Sequence, residues 1–339
     1  MNSSPAVVAD AGTAWYWANA YKVSVALFAL LELGVLEALS GASHSAATLS
    51  HALKLSQTAL EPTLQLVASV GVLEYAEGRF TLPPSTAAVL PLLLLEGHMS
   101  NTHIRRDVLV DVLKGTNAID PMTRADAAEL WPTYLAAMAV STRTLAPHLI
   151  RLLRRGSEAR LLDLGGADGA LALRLSQFFG RFEATVIDRA QLEPAFHERV
   201  GKADDRAVYR FVAGDLRCPQ AFAHEIARAD VVVLSNVLHL LTSHEQHTLL
   251  QTLYDHMRPG AQLLVYDQFS PADVAFDTAR FMVLDWLLCG YQFDCSEVTF
   301  GADLSRLGFA DVLYRRPPGL PGAIIGCRMP VLQAAGKDA

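Results

Sequence analysis

Apolar positions fall into two rhythms along this chain. From Ala14 to about Gly97 they recur at helical spacing, broken at Gly34, at Gly41-Ala42-Ser43 and at Leu55-Ser56. Ala46 to Leu53 reads as a short helix. Gln57 to Val70 reads as a second, with Leu60, Leu64, Leu66 and Val67 on one stripe. Gly71 to Leu82 then alternates like two short strands turning at Glu77-Gly78. Helix, helix and hairpin in that order predict a winged helix. Beyond residue 156 the rhythm changes. Strand-length apolar runs (Leu161 to Leu164, Ala184 to Asp188, Val208 to Ala213, Ala229 to Leu234, Leu263 to Asp267) alternate with helical segments such as Ala170 to Phe179. That alternation predicts a doubly wound parallel α/β sheet. Between the two, Ala127 to Leu153 is helical, with Trp131, Tyr134 and Met138 spaced as a core stripe.

The first strand of the second region runs into Asp163-Leu164-Gly165-Gly166-Ala167-Asp168-Gly169. Glycines there let a ligand approach the backbone, because no Cβ intervenes. A dinucleotide fingerprint needs glycines at positions 1, 3 and 6, and neither Gly165 nor Gly166 starts such a frame. A P-loop would end in Gly-Lys-Ser/Thr, which is absent. Asp188 closes the second strand about 20 residues on, where a ribose diol is normally held. Asp215 and Leu216 follow the third strand.

Net charge is −7, from 28 Lys and Arg against 35 Asp and Glu, which argues against nucleic acid as the main partner. The helix Gln57 to Val70 has Glu61 and no Lys or Arg, so the winged helix reads as a protein-interaction module. Cys218, Cys289, Cys295 and Cys327 have no paired spacing and suit a reducing compartment. The opening residues do not follow a signal-peptide pattern. The apolar runs Val23 to Leu39, which contains Glu32 and Glu37, and Ala87 to Leu95 read as buried helices, so no membrane partner and a cytoplasmic location are expected. His244-Glu245-Gln246-His247 is not H-E-x-x-H, and no metal is expected.

The D-x-G-G-x-x-G turn, the strand-end Asp188 and the Gly214-Asp215-Leu216 segment resemble S-adenosylmethionine (SAM)-dependent methyltransferases. With the winged-helix front end and helical connector, residues 14 to 330 resemble the small-molecule O-methyltransferases of the caffeate and acetylserotonin type, which have bacterial relatives in secondary metabolism. The resemblance implies a class I SAM-methyltransferase, Rossmann-like α/β fold preceded by a mainly α winged-helix domain. It places a dimerisation domain over residues 1–100, a connector lining the pocket over 101–155, and the SAM domain over 156–339. It implies SAM held by Asp163, Gly165, Gly166, Gly169, Asp188, Asp215, Leu216 and Ser235. It implies His239 as general base on a substrate hydroxyl, with Asp267 and Asp294 as supporting acids. Trp17, Trp131, Tyr134, Met138 and Tyr291 become candidates for substrate contact. An isologous homodimer through the first domain follows from the same resemblance.

The chain departs from that pattern where Leu240 and Leu241 replace the usual Asp-Trp after the histidine. Ala167 replaces a third glycine, and Ser235 a frequent lysine. A neutral imidazole, with pKa near ~6.5, can take the proton of a phenol or alcohol. A thioether acceptor needs no base, so S-methylation of a methylthio acid and C-methylation stay open. So does a non-methylating ligand sensor on the same fold.

Overall fold

The computed structural model describes residues 11–116, 118, 127–153, 158–179, 181–203, 207–269, 279–291, 295–318 and 320–331. They divide into two compact units: those within Met1–Thr102 and Leu130–Val140, and those within His103–Glu129 and Ser141–Ala339.

The first unit begins with α1 (Ala11–Glu32) and α2 (Val35–Ala38), separated at Gly34, whose φ of 70° is the left-handed conformation that glycine adopts freely. Next come α3 (Ala46–Leu53), capped by the Ser45 side chain, and α4 (Gln57–Ser69). The hairpin β1 (Glu74–Ala76) and β2 (Arg79–Thr81) turns through Glu77 and Gly78, both at positive φ, as a two-residue hairpin turn requires. His44 pairs with Phe80 to widen the wing. Leu60, Leu64 and Val67 of α4 pack with Leu30, Leu36, Leu49 and Phe80 in one core. The predicted winged helix is therefore present. α5 (Pro84–Ala87) and α6 (Leu90–Thr102) follow. The run Val23 to Leu39 contributes much of the core, as expected of a buried helix. Ala87 to Leu95 is only half-buried, and Leu94 is exposed.

The second unit takes in α7 (Arg106–Leu113) and is built on a seven-stranded sheet. The connector helix α8 (Ala127–Ile150) gives Leu130–Val140 to the first unit and its last turns to the second. Along the chain come β3 (Glu158–Leu164), α9 (Ala170–Ser176), β4 (Arg181–Asp188), α10 (Glu193–Val200) and β5 (Ala207–Ala213). There follow α11 (Ala223–Arg228), β6 (Val231–Ser235), α12 (Ser243–His256), β7 (Gln262–Asp267) and α13 (Ala279–Leu288). The unit closes with α14 (Glu297–Leu307), β8 (Ala310–Arg315) and β9 (Ala323–Arg328). Strand order is β5-β4-β3-β6-β7-β9-β8, with β9 antiparallel to its two neighbours and the rest parallel.

Each central strand is buried on both faces. Leu162, Leu164, Val232, Leu234, Leu263 and Val265 point to one core, while Leu161, Val231, Val233, Leu264 and Tyr266 point to the other. β4 starts at Arg181, three residues earlier than its apolar run suggests, because Arg181 and Phe182 pair with the start of β3 and Phe182 is buried. α9 ends at Ser176 rather than Phe179, and Phe178 and Phe179 turn back, Phe179 stacking on Phe182. The chain leaves β3 toward β4 and β5, then returns to β6 on β3's other side. The crevice beyond the carboxyl ends of β3 and β6 is thus a topological switch point, where such sheets bind ligands.

Candidate functional site

The turn after β3 is shaped by what a Cβ would strike. Gly165 has φ +74°, and a Cβ there would stand 2.2 Å from Val237 Cγ1, in the loop after β6, and 3.5 Å from Leu216. Gly165 therefore draws together the ends of β3, β5 and β6. A Cβ on Gly166 would lie 2.5 Å from the Asp163 carboxyl carbon, and one on Gly169, at φ +77°, 2.9 Å from Phe196. Ala167 holds φ 50°, a conformation costly for a residue with a side chain.

Four carboxyl groups surround this turn and differ in state. Asp163 is fully buried, and among the described residues neither carboxyl oxygen has a hydrogen-bond partner. Desolvation, reinforced by Asp188 and Asp168, pushes its pKa up to about 7. Asp188 accepts from the backbone N–H groups of Ala167 and Arg189 at 2.8 and 2.7 Å, and burial raises its pKa. Asp168 accepts from Ala170 N–H and pairs with Arg199 at 2.5 Å, so burial raises its pKa against the pull of that guanidinium. Asp215 is exposed and folded onto Arg217, 2.6 Å away, which holds its pKa low. Ser235 is half-buried at the end of β6, opposite Tyr266.

At the neighbouring strand ends, His239 sits in a short 3₁₀ turn, Leu238–Leu240. Its ring is buried, and Nδ1 lies 2.9 Å from Asp267 Oδ1. Asp267, fully buried at the end of β7, also accepts from the N–H groups of Leu238 and Gln268, both at 2.9 Å. A carboxylate so placed draws the imidazole proton to Nδ1 and leaves Nε2 as the acceptor. Gln246 Nε2 donates to the carbonyls of Leu238 and Leu241, clamping the turn from α12. The 243–247 segment therefore serves as a capped, hydrogen-bonding helix start: Thr242 and Glu245 form a capping box there. Among the described residues no cluster of three or more His, Cys, Asp or Glu is placed to hold a metal ion.

Two ring contacts complete the dyad's surroundings. Trp286, from α13, lies parallel to His239, with centroids 4.3 Å apart and planes 10° apart. Tyr291 meets the histidine edge-on at 6.0 Å. Sequence reasoning found His239, Asp267 and Tyr291 but not Trp286 or Gln246. The signal for Trp286 is a lone Trp in an apolar helix just before Tyr291. Asp294 lies outside the described residues. Trp17, exposed on α1, and Trp131, Tyr134 and Met138 on α8 belong to the first unit, where Trp131 and Tyr134 meet edge to face.

The residues at the β3 turn fit the cofactor that the sequence resemblance implies. Gly165 and Gly166 let Val237 and the Asp163 carboxyl pack directly against the turn, which leaves its backbone without side chains of its own. Asp188 keeps lone pairs for a diol.

Comparison with known proteins gives the class. The fold is that of class I SAM methyltransferases. Human N-acetylserotonin methyltransferase, solved in complex with SAM, superposes with a TM-score of 0.78 at 20% identity, covering 98% of this chain and 100% of that one. CalO1, a methyltransferase of calicheamicin biosynthesis solved with SAH, gives 0.76 at 20% identity, covering 95% and 98%. An O-methyltransferase dimerisation domain matches residues 15–89, and an O-methyltransferase domain matches 122–290. The chain belongs to this O-methyltransferase family. Its relatives include the tetracenomycin polyketide synthesis 8-O-methyl transferase TcmO of Streptomyces glaucescens, 31% identical over 33% of this chain and 32% of that protein. Mouse acetylserotonin O-methyltransferase is 30% identical over 50% of this chain and 43% of its own. The chain thus spans about a third of the first relative's length and under half of the second's.

Proposed function

We propose that this chain is a SAM-dependent O-methyltransferase acting on a small molecule of secondary metabolism, with His239 as general base. The observation that carries the reading is the buried His239–Asp267 pair at the switch point, beside the glycine turn that closes β3. SAM, when bound, supplies an electrophilic methyl group. Gly165, Gly166 and Gly169 shape its backbone bed with Asp163 buried beneath it, Asp188 faces its polar groups, and Asp215, Leu216 and Ser235 flank it.

His239 Nε2 takes the acceptor hydroxyl's proton as the oxygen gains its methyl group. Asp267 then faces an imidazolium and steadies it, while its contacts with Leu238 and Gln268 hold it still. Gln246 fixes the backbone carrying the base, which preserves near-attack alignment. Tyr291 lines the acceptor side. We assign Asp294 an accessory acid role and the winged-helix domain an isologous homodimer. No described helix is long and apolar enough to cross a membrane, which fits a cytoplasmic enzyme.

An oriented base favours hydroxyl acceptors over thioethers, which have no proton to lose. The test follows SAH release with phenols, alcohols and methylthio acids, for the native protein and His239→Ala. Turnover of a hydroxyl acceptor that falls ~10²–10⁴-fold in the variant, at unchanged SAM affinity, supports the reading. Thioether turnover that survives the substitution overturns it.

A further inference from the structure

The base has a third contact that neither the glycine turn nor the acid explains. Trp286 and His239 are each buried, and their rings lie 4.3 Å apart and within 10° of parallel. Tyr291 abuts the same ring at 70° and is tied to Trp286 by its N–H, which donates to the Trp286 carbonyl at 2.8 Å. Stacking of this kind covers one face of the imidazole and leaves its edge clear. Both nitrogens lie in that edge: Nδ1 is bonded to Asp267, and Nε2 makes no hydrogen bond among the described residues.

We propose that Trp286 is a positioning residue for His239, fixing the plane of the imidazole and favouring the ring once it carries the proton. The inference rests on His239 being the base. Its physical content is separate, because a face-on indole attracts a cation through the ring quadrupole whatever the cation's task. A neutral imidazole feels little of this attraction and an imidazolium feels it fully, so the stack acts on the state that proton transfer creates. Rotation of the ring about its Cβ–Cγ bond would break the parallel contact, so the indole and Asp267 together define one direction for Nε2. Asp267, from β7, and Tyr291, after α13, are titratable groups that face the imidazole. Neither contributes a face-on contact. Trp286 alone of the four tryptophans belongs to this core.

The experiment follows the His239 ring by NMR in protein labelled at histidine, its signal assigned by loss in His239→Ala. Site-specific mono- and difluorotryptophan at position 286 keep the ring's shape and weaken its quadrupole, so folding is not at stake. Trp286→Leu removes the ring. The His239 titration midpoint should fall stepwise with fluorination and furthest in Trp286→Leu, the acid dissociation constant rising in total by about two- to thirtyfold. The acid limb of kcat/KM should move to lower pH in parallel. Above it kcat should fall several-fold, with the KM for SAM unchanged. A midpoint that stays flat across the fluorinated series overturns the proposal and leaves Trp286 as core packing. Failure of the base reading looks different: His239→Ala would keep full turnover while the midpoints still moved with fluorination.

Discussion

The β3 turn presents backbone and glycine, whereas the β6–β7 end presents side chains. The first region is shaped by absent atoms: Gly165 and Gly166 lack the Cβ that would strike Val237 or Asp163. The second is shaped by oriented groups, with Asp267 holding two backbone N–H groups and an imidazole at once. Loss of space should therefore damage binding in one region, and loss of a group should damage turnover in the other. The Gly165–Val237 approach couples them, since the loop carrying His239 packs into the hollow left by Gly165.

The largest effects belong to the dyad. Asp267→Asn places an amide N–H₂ where two backbone donors and an imidazole expect an acceptor. Single-turnover methyl transfer should drop by about 10²–10⁴-fold, as for His239→Ala. Asp267→Ala should also lower stability, by about 1–3 kcal/mol for each buried N–H left unpaired, read by urea melts.

Next comes Gly165→Ala, which meets both a positive φ and the 2.2 Å approach to Val237. It should weaken SAM binding by roughly 10–100-fold in calorimetry, consistent with about 1–3 kcal/mol of overpacking. If binding fell by more than saturated kcat, the division between the regions would stand. A loss confined to kcat would break it.

Asp163 gives a pH signature at the first region. Its folded pKa of about 7 lies above the ordinary 3.8. Between those values the folded protein retains a proton that the unfolded chain has released, so this group's contribution to stability falls as pH rises through that window. Below the window both states are protonated, and above it the fold bears the full cost of a buried carboxylate. Asp163→Asn should match the native protein near pH 4 and exceed it at pH 8 by up to roughly 4 kcal/mol, at about 1.4 kcal/mol per unit. Equal stabilities at pH 8 would mean that the carboxylate is solvated.

The smallest effect is expected of Gln246→Ala. Two hydrogen bonds to carbonyls are lost, worth about 1 kcal/mol each. The resulting looseness of the His239 turn should lower kcat several-fold and leave SAM affinity alone. A fall in affinity instead would place the turn in the first region.

The two regions were not equally legible in the sequence. Strand-length runs ending at Leu164, Asp188 and Asp267 marked the sheet, because parallel strands buried on both faces read as near-continuous apolar runs. The glycine turn was legible for the same reason, as its backbone path forbids most side chains. β8 and β9 were not foreseen, and β4 begins earlier than its apolar run because pairing with β3 extends it. The side-chain region needed resemblance to supply the partner of His239. Trp286 escaped, since a stack between residues on different elements leaves no period in the chain, and an apolar helix hides one functional ring among packing residues. Gln246 escaped for a related reason: its amide reaches carbonyls, and carbonyls carry no residue identity.

In the proposed reaction His239 removes the acceptor's proton. The most direct test of that step compares kcat/KM for a series of phenols of graded acidity, in the native protein and in His239→Ala, at one pH and with SAM saturating. For weakly acidic phenols the variant should show a large deficit. That deficit should shrink steadily and vanish for phenols already ionised at the assay pH. A deficit of the same size across the whole series would contradict it, showing that His239 aligns the acceptor without taking its proton.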